Sequence, residues 1–421
     1  MLDIAFIRAN KELIKQNTAN RLATVDIDQL LNLDEAWRKQ ELIIQELRAQ
    51  RNKTSKSKPG EAEIKEMKKI GEQIAAMESE QKIVEESVKN LLLIVPNLSH
   101  PEVVMSDNDE KNPIMEQVGK IPHFNFTVKD HVELAEMHDL IDFERGTKVT
   151  GAKFYYLKNE LVLLSQALNR YALEIAMKHG FVPMITPDLA RTEIVEGLGF
   201  NPRGESSQIY RIANEDLNLI GTAEISLGGY HAEEVVDLQK GPKKYVGLSH
   251  CFRTEAGAAS KYSKGIFRVH QFEKLEMFVY ARPEESEKIH HEMLKIQKEI
   301  MSELGFTFRV IDHCSADLST PAYRTFDLEA WLPGKPNKKG EKGDWAEITS
   351  VSNCTDYQAR SLHIKYFDQS GNKKLVHTLN GTAHPGARLL IAILENYQTK
   401  NGSIDMPKVL RKYLPFKKIG R

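Results

Sequence analysis

The chain has 421 residues, of which 58 are Lys or Arg and 59 are Asp or Glu, giving a formal net charge of −1. Its length is enough for two or three domains, and its near neutrality excludes a strongly cationic nucleic-acid coat. Hydrophobic residues make up 41% of the chain, but no apolar run approaches the ~20 residues needed to cross a bilayer, so we expect no membrane partner.

The start of the chain and its cysteines indicate the compartment. From Met1-Leu-Asp-Ile we expect no signal peptide. The three cysteines, Cys251, Cys314 and Cys354, are an odd number, lie far apart and show no CxxC spacing. This pattern argues against a disulfide framework and against a thiolate zinc site. We therefore expect no zinc and a reducing, cytoplasmic setting.

The first hundred residues predict two long helices that pair along an apolar seam. The segment is dense in Glu, Lys, Gln and Arg and nearly free of Gly and aromatic residues. Apolar residues recur in steps of three and four from Met67 to Val95, the a/d repeat of a coiled coil, and a matching stripe starts at Leu33. A breaker at Ser55–Gly60 separates the stripes, which favours an antiparallel hairpin over about residues 28–95. The alternative is a dimerisation coiled coil.

The sequence predicts a domain boundary near residue 110. Pro96–Pro101 ends the second helix, and the polar stretch 106–113 follows as a linker. The predicted domains are therefore an N-terminal helical arm at 1–110 and a second domain at 111–421.

The second domain is predicted to belong to the α+β class. Short β-branched or aromatic runs alternate with amphipathic helices, which indicates a largely antiparallel sheet with flanking helices. One helix is expected at about Leu161–His179, where apolar residues share one face. The next segment, Phe181–Pro187, contains two prolines, so we expect it to be an edge or interface strand.

The richest polar stretch is predicted to form a strand, a loop and a second strand. Cys251–Glu255 ends the first strand, small residues follow, and Gly265–Phe278 returns as the second strand. Period-two alternation places four side chains on one face of the second strand: Phe272, Lys274, Glu276 and Phe278. A cation and a carboxylate thus share a face with aromatic rings. Taken alone, an Arg and a Glu on such a strand also suit a solvated cross-strand pair.

Three further polar clusters lie within apolar surroundings: Leu219–Glu224, Glu347–Ser350 and Leu379–Arg388. The carboxylate of the first needs a partner such as a ligand ammonium, although Thr222 can simply cap a helix there. The second sets a carboxylate and a hydroxyl three residues apart, which suits one Mg²⁺ bridging phosphates, the alternative being a polar turn. The third approaches a helix N-terminus and favours an anion. GxxxxGK[ST] and GxGxxG are both absent, so neither a P-loop nor a Rossmann fold is supported.

Taken in chain order, these features resemble motifs 1, 2 and 3 of the class II aminoacyl-tRNA synthetases, at Pro187, Thr222–Glu224, Phe252–Glu255, Asn380–Thr382 and Arg388. With the arm and linker included, nearly the whole chain resembles the seryl-tRNA synthetase family. The resemblance implies a class II antiparallel catalytic sheet flanked by helices, preceded by the coiled-coil arm. It also implies a homodimer, with Pro187 in the motif associated with dimer formation. The implied reaction is ATP-dependent activation of L-serine to seryl-adenylate, followed by transfer of serine to tRNA(Ser) and also tRNA(Sec).

The resemblance assigns residues to each ligand. For ATP these are Arg253, Thr254, Glu255, Phe272, Glu347, Ile348, Thr349, Ser350 and Arg388. Arg253 and Arg388 are the catalytic pair, through phosphate contacts, and Glu347 with Ser350 holds Mg²⁺. For serine the residues are Thr222, Ala223, Glu224, Arg253, Glu276, Asn380 and Thr382. For tRNA they are basic residues of the arm and of the motif 2 loop: Arg48, Arg51, Lys53, Lys65, Lys68, Lys69, Lys261 and Lys264.

The chain departs from the family pattern in two motifs. Lys261 and Lys264 stand where relatives more often have arginine, which weakens the case for bidentate contacts. Ala387 replaces a glycine before Arg388, so the backbone is expected to approach the nucleotide differently. The basic segment Pro333–Gly343 is interpreted as a flexible hairpin tip, with an acceptor-stem contact as the alternative.

Two other functions remain to be distinguished. An enzyme of the same fold that loads an amino acid onto a carrier protein would lack the helical arm. A non-catalytic tRNA-binding paralogue would have lost Arg253, Glu255, Glu276 or Arg388, all of which are present.

Overall fold

The computed structural model describes residues 1–55, 60–201, 207–256 and 262–420. The chain divides into two compact units, Met1–Leu98 and Ser99–Arg421.

The division precedes residue 110, because the segment after Leu98 packs with the second unit. The His100 amide donates a hydrogen bond to the Tyr323 carbonyl at 2.9 Å. Val103 is buried against Leu318 and Ala322. Residues from 99 onward thus share contacts with the second unit.

The first unit is helical, with α1 (Ile4–Ala9), α2 (Lys11–Asn20), α3 (Ile27–Ser55) and α4 (Glu61–Ile94). Helices α3 and α4 bury Ile44, Ile70 and Ile74 between them. Polar bonds join Arg48 to Glu78 at 2.7 Å and Gln81 to Glu41 at 2.9 Å. Because the residue number falls along α4 as it rises along α3, the two helices are antiparallel, as predicted. Residues 56–59, within the predicted breaker, lie outside the described residues.

The second unit mixes helices and strands. Its helices are α5 (His131–Met137), α6 (Phe143–Thr150), α7 (Asn159–Lys178), α8 (Thr192–Gly197), α9 (Ala223–Gly229), α10 (Ser286–Glu303), α11 (Tyr357–Ser361) and α12 (Ala387–Asn396). Its strands are β1 (Ile114–Val118), β2 (Ile141–Asp142), β3 (Tyr156–Leu157), β4 (Val182–Ile185), β5 (Leu189–Arg191), β6 (Leu217–Leu219), β7 (Lys243–Phe252), β8 (Gln271–Ala281), β9 (Phe308–Asp312), β10 (Arg324–Pro336), β11 (Lys342–Thr355), β12 (Lys365–Phe367), β13 (Lys373–Leu375), β14 (His377–His384), β15 (Ile404–Asp405) and β16 (Lys418–Ile419).

Among the described residues, eight strands form one sheet in the order β1-β9-β10-β11-β14-β8-β7-β4. Its neighbouring strands are antiparallel except β4, which pairs with β7 in parallel. The predicted α+β class with an antiparallel-dominated sheet is therefore confirmed. Among the described strands β4 lies at the edge of the sheet, which confirms the prediction drawn from the two prolines of Phe181–Pro187.

The helices pack on the sheet through apolar stripes. In α7 the predicted face is buried at every position: Leu161, Leu164, Leu168, Tyr171 and Ile175. These side chains join one core cluster with residues of β8, α10 and α12. Gly180 follows α7 with φ +82°, a conformation that ends the helix at low cost only for glycine. No helix in the described ranges is both long and apolar enough to span a bilayer.

Candidate active site

A cleft of about 520 Å³ opens where β11, β14, β8 and the end of β7 lie side by side. Twelve of the residues predicted for ATP or serine line it: Thr222, Glu224, Arg253, Glu255, Phe272, Glu276, Glu347, Ile348, Ser350, Asn380, Thr382 and Arg388. Three predicted residues in the described ranges do not line it: Ala223, Thr254 and Thr349. Ala223 and Thr349 are buried, and the Thr254 hydroxyl donates to the Ser207 carbonyl at 2.5 Å.

Arg253 is fixed at one side of the cleft directly after β7. Its Nε donates to the Gly221 carbonyl at 3.1 Å, and its guanidinium carbon lies 5.3 Å from the centre of the Phe272 ring. Its backbone amide donates to the His270 carbonyl at 2.9 Å. The guanidinium is thus held against an aromatic face, a geometry that favours a planar cation.

Glu255 lies two residues further on, in the left-handed region with φ +52°. Its carboxylate is 3.3 Å from the Arg268 guanidinium. The pair is largely shielded from solvent, since the Glu255 side chain is 8% exposed. A ligand that donates a hydrogen bond to the Glu255 carboxylate would therefore bind next to Arg268.

Arg388 and Glu347 form the opposite side of the cleft. Arg388 Nη1 lies 2.8 Å from Glu347 Oε1 and donates to the Glu347 carbonyl at 3.0 Å. The guanidinium carbon is 5.0 Å from the centre of the Phe267 ring. The Arg388 charge holds the pKa of the Glu347 carboxyl well below its usual range, so this carboxylate stays ionised.

Glu347 and Ser350 share the cleft because β11 is irregular between them. In a regular strand, residues three apart point to opposite faces. Here Glu347 pairs with Glu329 and Thr349 with Leu328, so that Ile348 is an extra residue on β11. This bulge returns Ser350 to the face of Glu347. The polar turn considered as an alternative is wrong, because the whole segment is strand.

The other end of the cleft holds two buried carboxylates. Glu276 is 1% exposed, lies 2.7 Å from the Lys274 ammonium and accepts from the Thr382 hydroxyl at 3.2 Å. Glu224 is 8% exposed and accepts from Asn380 Nδ2 at 3.1 Å. Two carboxylates with hydroxyl and amide neighbours suit a small ligand that carries an ammonium and a hydroxyl group.

Burial raises the pKa of Glu224 to about 7, and the nearby Glu276 carboxylate adds to this effect. Thr222 caps α9 by accepting the Glu224 amide at 3.2 Å. The capping alternative is therefore confirmed for Thr222, while the Glu224 side chain also lines the cleft. One local turn accounts for both observations.

One element near the site differs from the prediction. Strand β8 begins at Gln271 and not at Gly265, and the residues before it form turns. The third cluster approaches a helix N-terminus, as predicted, and does so along a strand, because Asn380–Thr382 lies within β14 and pairs with β8. Two residues, Pro385 and Gly386, connect β14 to α12. Because this connection is short, Arg388 in the first turn of α12 lies at the cleft.

The basic residues predicted to bind tRNA lie in different local environments. Arg48 is paired with Glu78 across the arm. The other predicted arm cations lie in α3 and α4: Arg51, Lys53, Lys65, Lys68 and Lys69. Lys264 is hydrogen-bonded to Asp130, so that cation is already engaged. Lys261 lies outside the described residues.

The basic segment Pro333–Gly343 forms the hairpin between β10 and β11. Three of its four lysines are paired with acidic residues: Lys335 with Asp344, Lys338 with Glu110 and Lys342 with Glu133. These pairs neutralise part of the charge that an RNA contact would need.

Several cleft residues were not assigned from the sequence. Lys274 pairs with Glu276, and Phe267 and Arg268 support Arg388 and Glu255. The alternation of β8 placed Lys274 on the face of Glu276 but gave it no role. Gln358, behind Glu224, gave no such signal, because α11 has only five residues and no pattern points to the cleft.

The donor atoms at Glu347 and Ser350 fit Mg²⁺. A carboxylate oxygen and a hydroxyl oxygen are hard donors, and Mg²⁺ in phosphate-binding sites commonly takes one or two carboxylates plus substrate oxygens. In the described part of the chain, no group of three or more His, Cys, Asp or Glu side chains is arranged to hold a metal ion by itself.

Comparison with known proteins covers both units. The sequence pattern of the seryl-tRNA synthetase N-terminal domain matches residues 1–99, and that of the class II tRNA synthetase core domain (G, H, P, S and T) matches residues 209–397. Proteins named serine–tRNA ligase from Treponema denticola and Dictyoglomus turgidum are 49% and 46% identical, each across 100% of this chain and 100% and 99% of their own lengths.

Solved structures agree with these matches. Seryl-tRNA synthetase from Pyrococcus horikoshii complexed with ATP superimposes with a TM-score of 0.85 at 38% identity, covering 100% of this chain and 99% of that one. Cytoplasmic serine–tRNA ligase from Naegleria fowleri in complex with AMP gives 0.81 at 34% identity, covering 97% and 95%. The chain therefore belongs to the seryl-tRNA synthetase family, the class II enzymes that activate serine with ATP and charge tRNA with it.

Proposed function

We propose that the cleft between Arg253 and Arg388 binds ATP and L-serine side by side and forms seryl-adenylate. The observation that carries this proposal is the convergence of two guanidinium groups, each backed by an aromatic ring, next to a pocket with two buried carboxylates. The ATP and AMP complexes of the Pyrococcus and Naegleria relatives support a nucleotide site in this fold.

Arg253 and Arg388 supply the positive charge for phosphate chemistry. A serine carboxylate oxygen attacks the α-phosphorus, the bond from that phosphorus to the bridging oxygen breaks, and pyrophosphate leaves with the electron pair. Such a step needs cations aimed at the developing charge more than it needs covalent help. Arg253 contacts the α-phosphate and the serine carboxylate, and Arg388 contacts the far phosphate and covers the adenine.

Other residues orient the nucleotide. Glu255 accepts from the adenine amino group, and Phe272 stacks on the base. Thr254, Ile348 and Thr349 complete this part of the site through the backbone and packing of their segments. Glu347 and Ser350 would hold Mg²⁺, which would supply neutralisation of phosphate charge.

The serine pocket combines Glu224 and Glu276 with Thr222, Ala223, Asn380 and Thr382. The carboxylates attract the substrate ammonium, and the amide and hydroxyl groups recognise the serine hydroxyl. An alanine substrate would leave these buried polar groups unpaired, which disfavours alanine by a factor of roughly 100 or more. The pocket thus selects serine by its hydroxyl group.

The helical arm and the dimer are the remaining parts of the proposal. The arm at 28–95 contacts tRNA(Ser), and also tRNA(Sec), through Arg48, Arg51, Lys53, Lys65, Lys68 and Lys69, with Lys261 and Lys264 near the acceptor end. Such phosphate contacts make binding weaker as salt increases. The chain works as a cytoplasmic homodimer through the edge that precedes Pro187. The three cysteines are buried, which suits a reducing compartment.

Exchange of pyrophosphate into ATP tests the activation step. We expect exchange that depends on L-serine and Mg²⁺ and that alanine and threonine do not support. Charging of tRNA(Ser) and tRNA(Sec) transcripts then separates this function from loading of a carrier protein. A purified, folded chain that exchanges no pyrophosphate with serine would overturn the proposal and favour a non-catalytic tRNA-binding role.

A further inference from the structure

We propose that Gln358, held in place by Thr378, is a positioning residue for the Glu224 carboxylate in the amino-acid pocket. It keeps Oε1 of that carboxylate occupied, so that Oε2 is the oxygen available to the substrate. This inference rests on the proposed role of Glu224 in serine binding. Gln358 does not line the cleft and acts only through the carboxylate.

Both ends of the Gln358 amide are bonded. The side chain is fully buried on α11. Its Nε2 donates to Glu224 Oε1 at 2.8 Å and to the Leu198 carbonyl at 3.1 Å, while its Oε1 accepts from the Thr378 hydroxyl at 2.7 Å. An ionised carboxylate and a backbone carbonyl can only accept hydrogen bonds, so the NH₂ end must face them. Thr378 therefore locks the amide in one orientation.

Two hydrogen-bond donors lie against the same oxygen of the Glu224 carboxylate. Asn380 Nδ2 also donates to Oε1, at 3.1 Å, so that two N–H groups converge on the same oxygen. Without them, a carboxylate buried beside Glu276 would tend to take up a proton or rotate. The facing cations are Lys274 and Arg253, which also favour the ionised form. Gln358 thus fixes the orientation of Glu224 and favours its ionised form.

Gln358 also connects Glu224 to the wall of the cleft. The Leu198 carbonyl that it binds directly precedes Gly199 and Phe200, and both of these residues line the cleft. Gly199 has φ +92°, and a Cβ there would lie 3.0 Å from Pro321. One amide therefore sets the distance between the carboxylate and a tightly packed wall.

Substitution of Gln358 by methionine tests the proposal, because it removes both donors while keeping the side-chain length. In pyrophosphate exchange we expect the serine KM to rise roughly 10- to 100-fold, the factor expected for losing a hydrogen bond to a charged group. The ATP KM should stay within about twofold. Protonation of Glu224 should raise the serine KM at low pH, and in Gln358→Met this rise should begin at a higher pH than in the wild type. A merely structural role of Gln358 would not cause such a shift.

Gln398→Met is the matched control. Gln398 is also buried, and its Nε2 donates to two carbonyls, those of Lys129 and Glu395, both at 2.8 Å. It does not line the cleft. We expect this variant to lose stability comparably and to keep the wild-type serine KM. An equal rise in serine KM for both variants would overturn the proposal.

Thr378 provides a second route if Gln358→Met folds poorly. Thr378→Val removes the hydroxyl with little change in shape, whereas Thr378→Ser retains it. We expect the valine variant to raise the serine KM and the serine variant to restore it. Folded Gln358→Met and Thr378→Val variants that both keep the wild-type serine KM would overturn the positioning role.

A double-mutant cycle separates this inference from the role of Glu224. If Gln358 acts through Glu224, adding Gln358→Met to Glu224→Gln should raise the serine KM little further. Full additivity would overturn the inference while leaving Glu224 as a serine ligand. A Glu224→Gln variant with an unchanged serine KM would instead reject the proposed serine site itself, and this inference with it.

Discussion

At Arg388, one guanidinium group serves several neighbours at once. It contacts the carboxylate and the carbonyl of Glu347 and lies over the ring of Phe267. A guanidinium presents donors in a planar fork and can cover an aromatic ring, whereas an ammonium is a compact point charge. The chemistry of this position therefore depends on the shape of the cation as well as on its charge.

We predict that Arg388→Lys lowers kcat/KM for ATP in pyrophosphate exchange about 100-fold, corresponding to loss of about 2–3 kcal/mol of transition-state binding. The serine KM should change less. Arg411→Lys is the control, since Arg411 contacts the Met406 carbonyl and does not line the cleft. A kcat/KM within threefold of wild type for Arg388→Lys would contradict the prediction.

The pKa of Glu224 predicts a pH effect on serine binding. Its folded-state value of about 7 lies above the ordinary 4.5 because the group is buried and faces Glu276. As pH falls through 7 the carboxylate gains a proton and loses its attraction for the substrate ammonium, so kcat/KM for serine should fall up to about tenfold per pH unit.

The sign for stability is opposite. An acid with a raised folded-state pKa contributes stability below pH 4.5 and loses that contribution as pH rises from 4.5 through 7.

The pH effect on serine binding is measured as the pH profile of kcat/KM for serine. The Glu224→Gln variant should lack the fall in kcat/KM near pH 7. A wild-type profile that is flat between pH 6 and 8 would disagree with this assignment.

At the scale of elements, the bulge in β11 is a feature that the sequence did not predict. The spacing of Glu347 and Ser350 was enough to suggest a site, but a regular strand would have separated them. The extra residue, Ile348, carries no glycine or proline signal; it is defined by pairing with β10. Such register comes from contacts distant in the chain. By contrast, the local stripes of α7 and of the α3–α4 hairpin were visible in the sequence because periodicity is local.

Gly386, in the turn before α12, combines two requirements that only glycine meets. Its φ is +55°, and an added Cβ would lie 2.1 Å from the Glu273 carbonyl oxygen. We predict that Gly386→Ala lowers the free energy of unfolding by about 2–4 kcal/mol and reduces exchange activity, because the turn that sets Arg388 must shift. Urea denaturation with an exchange assay measures both effects.

Gly340→Ala separates backbone strain from steric overlap. Gly340 has φ +82° but nothing within 4 Å of an added Cβ. This control should cost only about 1 kcal/mol and leave activity unchanged. If the two alanine variants had equal stability, the close approach at Glu273 would not matter.

The seam of the arm predicts a separation of two activities. Ile44 is fully buried between α3 and α4, so Ile44→Ala should destabilise the arm by about 2–4 kcal/mol. We expect tRNA charging to fall while pyrophosphate exchange stays at the wild-type rate. Ile43→Ala is the control, because Ile43 is 46% exposed and should tolerate the change. Equal loss of exchange and charging in Ile44→Ala would argue against a separate role for the arm.

For the whole molecule, the two compact units coincide with the two kinds of sequence signal. The charged, glycine-poor segment forms Met1–Leu98, and the segment that carries the three polar clusters forms the rest. The family pattern for the N-terminal domain ends at residue 99, next to the same division. Composition alone could locate two domains, but the exact division depended on hydrogen bonds such as that from His100 to Tyr323.

The edge strand β4 predicts how two copies associate. Ile185 is 88% exposed and Val182 is 53% exposed on a strand that pairs on one side only within the described parts of the chain, and such apolar edges are normally covered. Because we propose that a second copy covers this edge, Ile185→Lys should shift the protein from dimer to monomer in sedimentation velocity at micromolar concentration. Ile83→Lys, at a position 67% exposed in α4, is the matched control and should remain dimeric. A fully dimeric Ile185→Lys variant would place the dimer interface elsewhere.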